Sequence, residues 1–356
     1  MDIADIDKNL ELKSSLKTDN IIFYNVNKPP FKIYGLYDYQ NQNEYMRMPI
    51  EVSEKISEGV KHLNYSTAGG RLRFKTDSDY IAINVKMNRI NLMPHMAFTG
   101  STGFDLYIKS PKGFIFCDSF VPPISIKDGY ESIIYFNKKA EKDILINFPL
   151  YSGVNELYIG LEKSATLKEG SNYLIEKPIV FYGSSITQGG CASRPGNSYQ
   201  AILSSWLDCD YINLGFSGNA KGEQSMAAYI SKLDMSVFVC DYDHNAPSLD
   251  FLEKTHIDFY KRIRANNKTV PIVLMSKPDF ENGKENNIKR RKIIKNTYIY
   301  ATESGDKNIY FVNGEKLFKN KGRDNCTVDM CHPNDLGFYR IAEGLYPVIK
   351  GVLSKN

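Results

Sequence analysis

The feature that most constrains this chain is a change of rhythm at Pro178. Downstream of it, short apolar runs alternate with longer amphipathic segments. Ile179–Tyr182, Tyr211–Leu214, Ser236–Asp241, Ile272–Met275 and Ile309–Val312 read as strands. Ser198–Leu207, Glu223–Leu233, Leu249–Ala265, Glu285–Glu303 and Leu336–Leu353 read as helices between and after them. Successive strands joined through helices pair in parallel, with helices on both faces. The expected fold is α/β, a three-layer doubly wound parallel sheet. Such open sheets gather their chemistry at the carboxyl ends of the strands.

Upstream the rhythm is different. From about Ile21 to Gly160 the chain is rich in Tyr, Phe, Ile and turn residues. Leu72–Thr76, Tyr80–Met87, Phe104–Ile108, Gly113–Asp118, Ser132–Phe136, Asp143–Phe148 and Glu156–Leu161 read as short strands. Turn signals such as Asp77-Ser78-Asp79 and Ser110-Pro111-Lys112-Gly113 separate them. A helix is expected only within Pro49–Gly59. An all-β sandwich of jelly-roll type is the natural reading. The polar segment Ala165–Glu176, with Gly170-Ser171-Asn172, reads as a linker. The expected organisation is an N-terminal extension over 1–20, the sandwich over 21–164, a linker over 165–177 and the α/β domain over 178–356.

At 356 residues the chain has room for two domains and a sizeable core. Its formal net charge of +4, from 45 Lys plus Arg against 41 Asp plus Glu, is no footprint for nucleic acid. The one basic run, Lys289-Arg290-Arg291-Lys292 with Lys295, reads as a solvated helix face. The six cysteines lack C-x-x-C pairing, which argues against a disulfide framework and for a cytoplasmic setting. The start of the chain has no signal-peptide pattern, and no run approaches the roughly 20 apolar residues of a membrane span. The single Trp206 lies in a helix pattern and reads as core.

The chemistry is concentrated where the first parallel strand ends. Ile179-Val180-Phe181-Tyr182 breaks at Gly183 into Ser184-Ser185-Ile186-Thr187-Gln188-Gly189. This delivers a serine hydroxyl to the sheet edge. A serine is a weak nucleophile until a base takes its proton. The second domain offers three histidines, His244, His256 and His332. His332 lies in Asp329-Met330-Cys331-His332-Pro333-Asn334-Asp335, a loop before the last helix, which Asn334 or Asp335 can cap. An Asp three residues before the His can hold one ring nitrogen and leave the other for the nucleophile. Two more loops offer oxyanion donors. Asn213-Leu214-Gly215-Phe216-Ser217-Gly218-Asn219 presents a glycine N–H, and Asp241-Tyr242-Asp243-His244-Asn245 an amide side chain. The Gly183–Gly190 loop lacks both nucleotide-binding signatures, G-x-G-x-x-G and the P-loop ending. The α/β-hydrolase elbow needs a glycine where Thr187 stands.

These blocks resemble the SGNH/GDSL hydrolases. Gly183-Ser184-Ser185-Ile186 matches the nucleophile block, Phe216-Ser217-Gly218-Asn219 the glycine block, Asp243-His244-Asn245 the asparagine block and Asp329-x-x-His332 the last. The resemblance implies Ser185 as nucleophile, His332 as base and Asp329 as its orienting carboxylate. It implies an oxyanion hole of the Ser185 N–H, Gly218 and Asn245. Ser184 stands where many members have Asp, and the asparagine block lacks its usual glycine and reads Asp243-His244-Asn245. Gly103-Phe104-Asp105-Leu106-Tyr107 resembles the signature of the GxDLY domain, a β-sandwich that precedes SGNH domains of this subtype. Ser66-Thr67-Ala68-Gly69-Gly70-Arg71-Leu72-Arg73-Phe74 and Phe148-Pro149-Leu150-Tyr151-Ser152-Gly153 are similar to that module. Arg73 and Asp105 read as a buried polar pair or as caps.

What the resemblance implies is a serine esterase. It would remove a short acyl group, above all acetyl, from a carbohydrate through an acyl-enzyme on Ser185. No metal and no organic cofactor is expected. The expected partner is a small-molecule or oligosaccharide ester, with neither nucleic acid nor membrane; a homo-oligomer stays open. His244 and His95, the latter on a first-domain loop, are candidate substrate-binding residues. Two other readings stay open: an O-acyltransferase using the same Ser-His-Asp site, and a catalytically inactive carbohydrate-binding protein.

Overall fold

The computed structural model of the protein describes Leu16 and residues 20–354. The expected N-terminal extension therefore lies outside the described residues, apart from Leu16 and Asn20. Among the described residues no helix is long and apolar enough to cross a membrane.

The first half is built of β1 (Ile21–Asn25), β2 (Lys32–Tyr34), α1 (Ile50–Ile56), α2 (Glu58–Leu63), β3 (Arg71–Thr76), β4 (Tyr80–Lys86), α3 (Phe98–Ser101), β5 (Phe104–Ser110), β6 (Gly113–Phe120), β7 (Gly129–Tyr135), β8 (Lys142–Asn147), β9 (Glu156–Glu162) and β10 (Leu167–Lys168). Two antiparallel sheets form, in the orders β1-β9-β4-β7 and β10-β3-β8-β5-β6, with β2 also on β3. Between them lie Leu72, Phe74, Ile81, Ile83, Phe104, Leu106, Ile144, Ile146, Ile159 and Leu161, all fully buried. All seven expected strands form within a few residues of their expected bounds. β2 and β10, of three and two residues, are too short for alternation to show, and β1 (Ile21-Ile22-Phe23-Tyr24-Asn25) does not alternate. Leu167–Lys168, in the polar segment before the second half, pairs with Lys75–Thr76.

The period of two along a strand decides what the outer face of the second sheet does. Leu72 and Phe74 point into the sandwich, so Arg71 and Arg73 point out of it. Phe104 and Leu106 point in, so Asp105 and Tyr107 point out. Ile144 and Ile146 point in, so Asn147 points out. These outward polar residues are nevertheless buried, because the α/β half covers them. Asp105 accepts hydrogen bonds from Asn147 Nδ2 (2.7 Å), Arg194 Nη1 (3.0 Å) and the Gly196 N–H (2.8 Å). Burial pushes the Asp105 carboxyl up, and Arg194 with the hydrogen bonds works against that rise. Arg71 pairs with Asp210, donates to the Tyr211 carbonyl (2.9 Å) and lies 3.7 Å over the Tyr211 ring. Arg73 stacks 3.5 Å over Tyr173 and approaches Asp208 (3.6 Å). Arg73 and Asp105 are thus not each other's partners; each reaches chain beyond the sandwich. A lone partner left buried after truncation of such a pair costs about 3–5 kcal/mol, so the interface holds the two halves in one arrangement.

The second half runs β11 (Ile175–Gly183), α4 (Ser185–Gln188), α5 (Tyr199–Leu207), β12 (Cys209–Gly215), α6 (Gln224–Ile230), β13 (Val237–Asp241), α7 (Leu249–Asn266), β14 (Ile272–Met275), α8 (Lys284–Glu303), β15 (Ile309–Val312) and α9 (Asp335–Leu353). The sheet is parallel throughout, in the order β12-β11-β13-β14-β15. Phe181, Val237 and Val239 pack with Tyr199 and Leu203 of α5 and Phe338, Ile341 and Leu345 of α9. Val180, Tyr182, Phe238 and Cys240 pack with α6, α7 and α8. This is the three-layer, doubly wound arrangement the alternation implies. Trp206 departs from expectation. It is 38% exposed and rests edge-on against Tyr339 and Tyr346 of α9 rather than in the core.

His256 on α7 is buried, with Nδ1 2.8 Å from Thr297 Oγ1. Burial pulls its imidazole down to about 4, from an ordinary value of 6.5. A group whose folded value is depressed adds stability above its unfolded value and loses it as pH falls toward the folded one. The expected result is a fall in Tm between pH 6.5 and 4, worth on the order of 3 kcal/mol at about 1.4 kcal/mol per unit. His256→Gln, which cannot gain that proton, should flatten this part of a Tm-versus-pH profile measured by circular dichroism.

Candidate active site

The site is set by strand register. Gly183 at the end of β11 pairs with Gly215 of β12 on one side and with Asp241 of β13 on the other. Three loops therefore leave the sheet at one level. They are the loops beginning at Ser184, Phe216 and Tyr242, the three that sequence singled out. The glycines are needed for close approach. A Cβ at Gly183 would lie 2.2 Å from Thr187 Oγ1 and 2.3 Å from the Asp241 carbonyl oxygen, and one at Gly215 would lie 2.1 Å from the Gln188 nitrogen.

Ser184 caps the short helix α4, its hydroxyl accepting from the Ile186 N–H at 3.2 Å. Serine is among the residues favoured at such a cap. Ser185 is the first helical residue, 8% exposed, so its N–H lies in the turn that a helix leaves without internal partners. Its Oγ stands 2.9 Å from His332 Nε2. His332 Nδ1 is 2.7 Å from Asp329 Oδ2. The other carboxylate oxygen accepts the backbone N–H groups of Cys331 (3.1 Å) and His332 (2.7 Å). Burial alone would raise the Asp329 carboxyl; the hydrogen bonds from the His332 ring and from the two backbone donors outweigh it and hold the carboxyl below the ordinary range. The loop is pinned at its base by Val328 N–H to the His332 carbonyl (2.9 Å) and by Asn334 N–H to the Cys326 carbonyl (3.0 Å). Of the two capping candidates, Asn334 caps α9, while Asp335 accepts from Ser193.

The other two loops close on the first. Asn245 Nδ2 donates to the Phe216 carbonyl at 3.0 Å, tying the amide to the segment that carries Gly218. The Ser217 N–H donates to Gln188 Oε1 at 3.0 Å. Gly218 has φ +68 and stands exposed, and among the described residues neither its N–H nor that of Ser185 has a protein acceptor. The loop of Asn245 is held by Arg290, which donates to the carbonyls of Asp243 and Ala246 and lies 3.3 Å from the Asp243 carboxylate. Arg290 is 8% exposed, so the basic run is not simply a solvated face. One of its members turns inward to build the site. His244 Nε2 lies 3.0 Å from Asp279, out of hydrogen-bond alignment, and Nδ1 lies 3.9 Å from Cys331 Sγ. The exposed His95 ring, from the first half, lies 5.6 Å from the His332 ring.

Four supporting residues were not foreseen. Gln188 links the glycine loop to the Leu150 carbonyl of the sandwich (3.3 Å). Tyr151 approaches the Ser185 carbonyl with its hydroxyl at 3.4 Å. Arg47 sits 2% exposed with no carboxylate. It donates to the carbonyls of Asn213, Gly215 and Leu63 and lies 4.4 Å over the Phe216 ring. Burial pulls its guanidinium down to about 9, which leaves it charged at neutral pH. Cys191 is the fourth; it is 5% exposed beside His95 and His332. The signal for Arg47 was legible as a lone charge in Tyr45-Met46-Arg47-Met48. A partly open pocket of about 330 Å³ lies between the sandwich and α5, lined by Arg73, Tyr173, Arg194 and Trp206, and none of Ser185, Asp329 and His332 borders it.

A serine–histidine–aspartate chain at the carboxyl edge of a doubly wound sheet, fed by glycine and asparagine loops, defines an SGNH-type esterase or acylhydrolase. Residues 176–350 match, and belong to, the GDSL-like lipase/acylhydrolase family, and residues 21–167 match the N-terminal module of SGNH-hydrolase-type esterases. Among solved structures, one assigned as a GDSL-like lipase from Bacteroides ovatus is 28% identical with a TM-score of 0.85, over 94% of this chain and 98% of that one. The salicylyl-acyltransferase SsfX3 of a tetracycline biosynthetic pathway is 17% identical with a TM-score of 0.75, over 94% and 98%. A family two carbohydrate esterase from Cellvibrio japonicus is 12% identical with a TM-score of 0.61, over the same shares. The last two likenesses are of fold. No curated protein sequence matches the chain significantly.

Gly190 tests the packing behind the triad. A Cβ there would lie 2.8 Å from the Tyr151 hydroxyl, 3.0 Å from the Ser185 carbonyl oxygen and 3.4 Å from His332 Cδ2. Gly190→Ala is expected to slow p-nitrophenyl acetate hydrolysis by about 10- to 100-fold through displacement of the ring, without altering a reacting group.

Proposed function

We propose that this protein is a serine esterase that removes a short acyl group, acetyl above all, from a carbohydrate hydroxyl through an acyl-enzyme on Ser185. The observation that carries the reading is the 2.9 Å contact between Ser185 Oγ and His332 Nε2, with Asp329 behind the ring. Nε2 takes the serine proton as Oγ attacks the ester carbonyl carbon. The Ser185 N–H, the Gly218 N–H and the Asn245 amide receive the oxyanion. Collapse breaks the bond to the alcohol oxygen, which leaves with the proton from His332. Water, deprotonated by the same nitrogen, then attacks the acyl-enzyme. The carboxylate is released and Oγ regains its proton. Asp329 keeps the ring in the tautomer that leaves Nε2 free. An acetyl group on a sugar is favoured by the carbohydrate esterases among the proteins of similar fold, one of them named an acetyl xylan esterase.

The test is acetate release from a panel of acetylated mono- and oligosaccharides. Ser185→Ala should abolish it along with labelling by a fluorophosphonate; full activity in that variant would overturn the mechanism. Asp329→Asn is expected to lower kcat by about 10²- to 10⁴-fold, because the ring is then held in the wrong tautomer. Asn245→Ala should cost about 10²- to 10³-fold in kcat with little change in KM, the signature of a donor used in the transition state. Recovery of an acylated sugar acceptor in place of free acetate would assign the protein to acyl transfer instead.

A further inference from the structure

We propose that His95, Cys191 and His332 form a zinc-binding site that, when filled, shuts the esterase off. One donor atom from each of the three lies within 4.8 Å of the others. They come from three distant segments: the first-domain loop before α3, the turn after α4 and the loop before α9. Two imidazoles and a thiolate are the donor set Zn²⁺ prefers, with a fourth position open to water. A triangle of 4.8 Å edges would leave a central ion about 2.8 Å from each donor. Closing to Zn–N and Zn–S lengths of about 2.0–2.3 Å asks each donor for under about 1 Å. His95 is exposed and free to supply much of it.

Three further observations point the same way. Zinc-bound histidines commonly give their second ring nitrogen to a carboxylate, and His332 Nδ1 already has Asp329 Oδ2 at 2.7 Å. Neither the Cys191 thiol nor the His95 ring has a protein hydrogen-bond partner among the described residues. Cys191 also holds φ +75, a left-handed conformation that glycine takes freely and cysteine takes under strain. The thiol is thus kept at a position where glycine would fit the backbone better. A second N/O/S group, His244, Asp279 and Cys331, lies close by. It is not the cation site, because the Lys277 ammonium stands 3.3 Å from the Asp279 carboxylate and supplies the positive charge.

Binding replaces the Cys191 thiol proton, which passes to the buffer, with a sulfur–zinc bond. It also takes the His332 Nε2 lone pair, the one that receives the Ser185 proton. Inhibition therefore rests on the proposed role of His332, whereas binding does not. The experiment is calorimetric titration of ZnCl2 into the purified, metal-free protein in a non-chelating buffer, beside p-nitrophenyl acetate hydrolysis over the same zinc range. The expected result is one saturable site whose occupancy tracks loss of activity, reversed by EDTA. His95→Ala and Cys191→Ser should each weaken binding at least tenfold, and the zinc concentration for half-inhibition should rise by the same factor, relative to each variant's own rate. His95 is exposed, so its variant keeps the test meaningful should Cys191→Ser fold poorly. Binding is also measured in Ser185→Ala, where it should persist. Full hydrolysis by that variant would overturn the esterase mechanism and leave the site standing. Absence of saturable binding, or binding unchanged in both His95→Ala and Cys191→Ser, would overturn the site. Binding that needs both residues while hydrolysis continues at saturation would overturn its inhibitory action.

Discussion

Everything at the candidate site depends on the level at which β11 stops. Gly183 is flanked in register by Gly215 and Asp241, so the serine, glycine and asparagine loops start side by side. A slip of one strand by a residue would reverse every side chain between the two apolar faces, which both are filled. Hydrophobic packing on two sides therefore fixes the loop origins, and the loops need only short hydrogen bonds to finish the site. Ser217 to Gln188 and Asn245 to the Phe216 carbonyl are those bonds.

The base reaches this edge by another route. His332 is carried by a loop that Asp329 shapes from within, by accepting two backbone donors and one ring nitrogen at once. One carboxylate thus fixes the backbone turn, the ring orientation and the tautomer. The sandwich contributes from the far side. Its outward Arg71, Arg73 and Asp105 are buried against the second half, and Arg47 binds carbonyls at the end of the strand leading to Gly218. The first half is therefore part of the site's scaffold, and it also brings His95 to within 5.6 Å of the His332 ring.

Much of this was legible in the order of residues. Ile272–Met275 and Ile309–Val312 form with the expected bounds, because a buried parallel strand is a short unbroken apolar run. The asparagine loop and the Asp329–His332 pair were also legible, since a tight turn brings residues three apart together. Less legible were residues whose role depends on what faces them. Arg290 sits in a run of four basic residues and only the fold turns it inward to Asp243. Asp105 and Arg73 both sit on strands with alternating patterns, and their partners, Arg194 and Asp208, lie far away along the chain, 89 residues in the first case. Trp206 carries an apolar signal yet rests on the surface of α9.

By itself the sequence determined the strand–helix alternation, the loops that carry Ser185, Gly218, Asn245 and His332, and the β-rich first half. Each of these follows from local periodicity or from turn chemistry within a few residues. Only the tertiary structure decided which hydroxyl meets which ring, at 2.9 Å across 147 residues of chain. It alone set Arg47, Gln188 and Cys191 beside the site. Such pairings are long-range: they depend on strand register and on how two apolar surfaces interlock, and no window of sequence holds both partners.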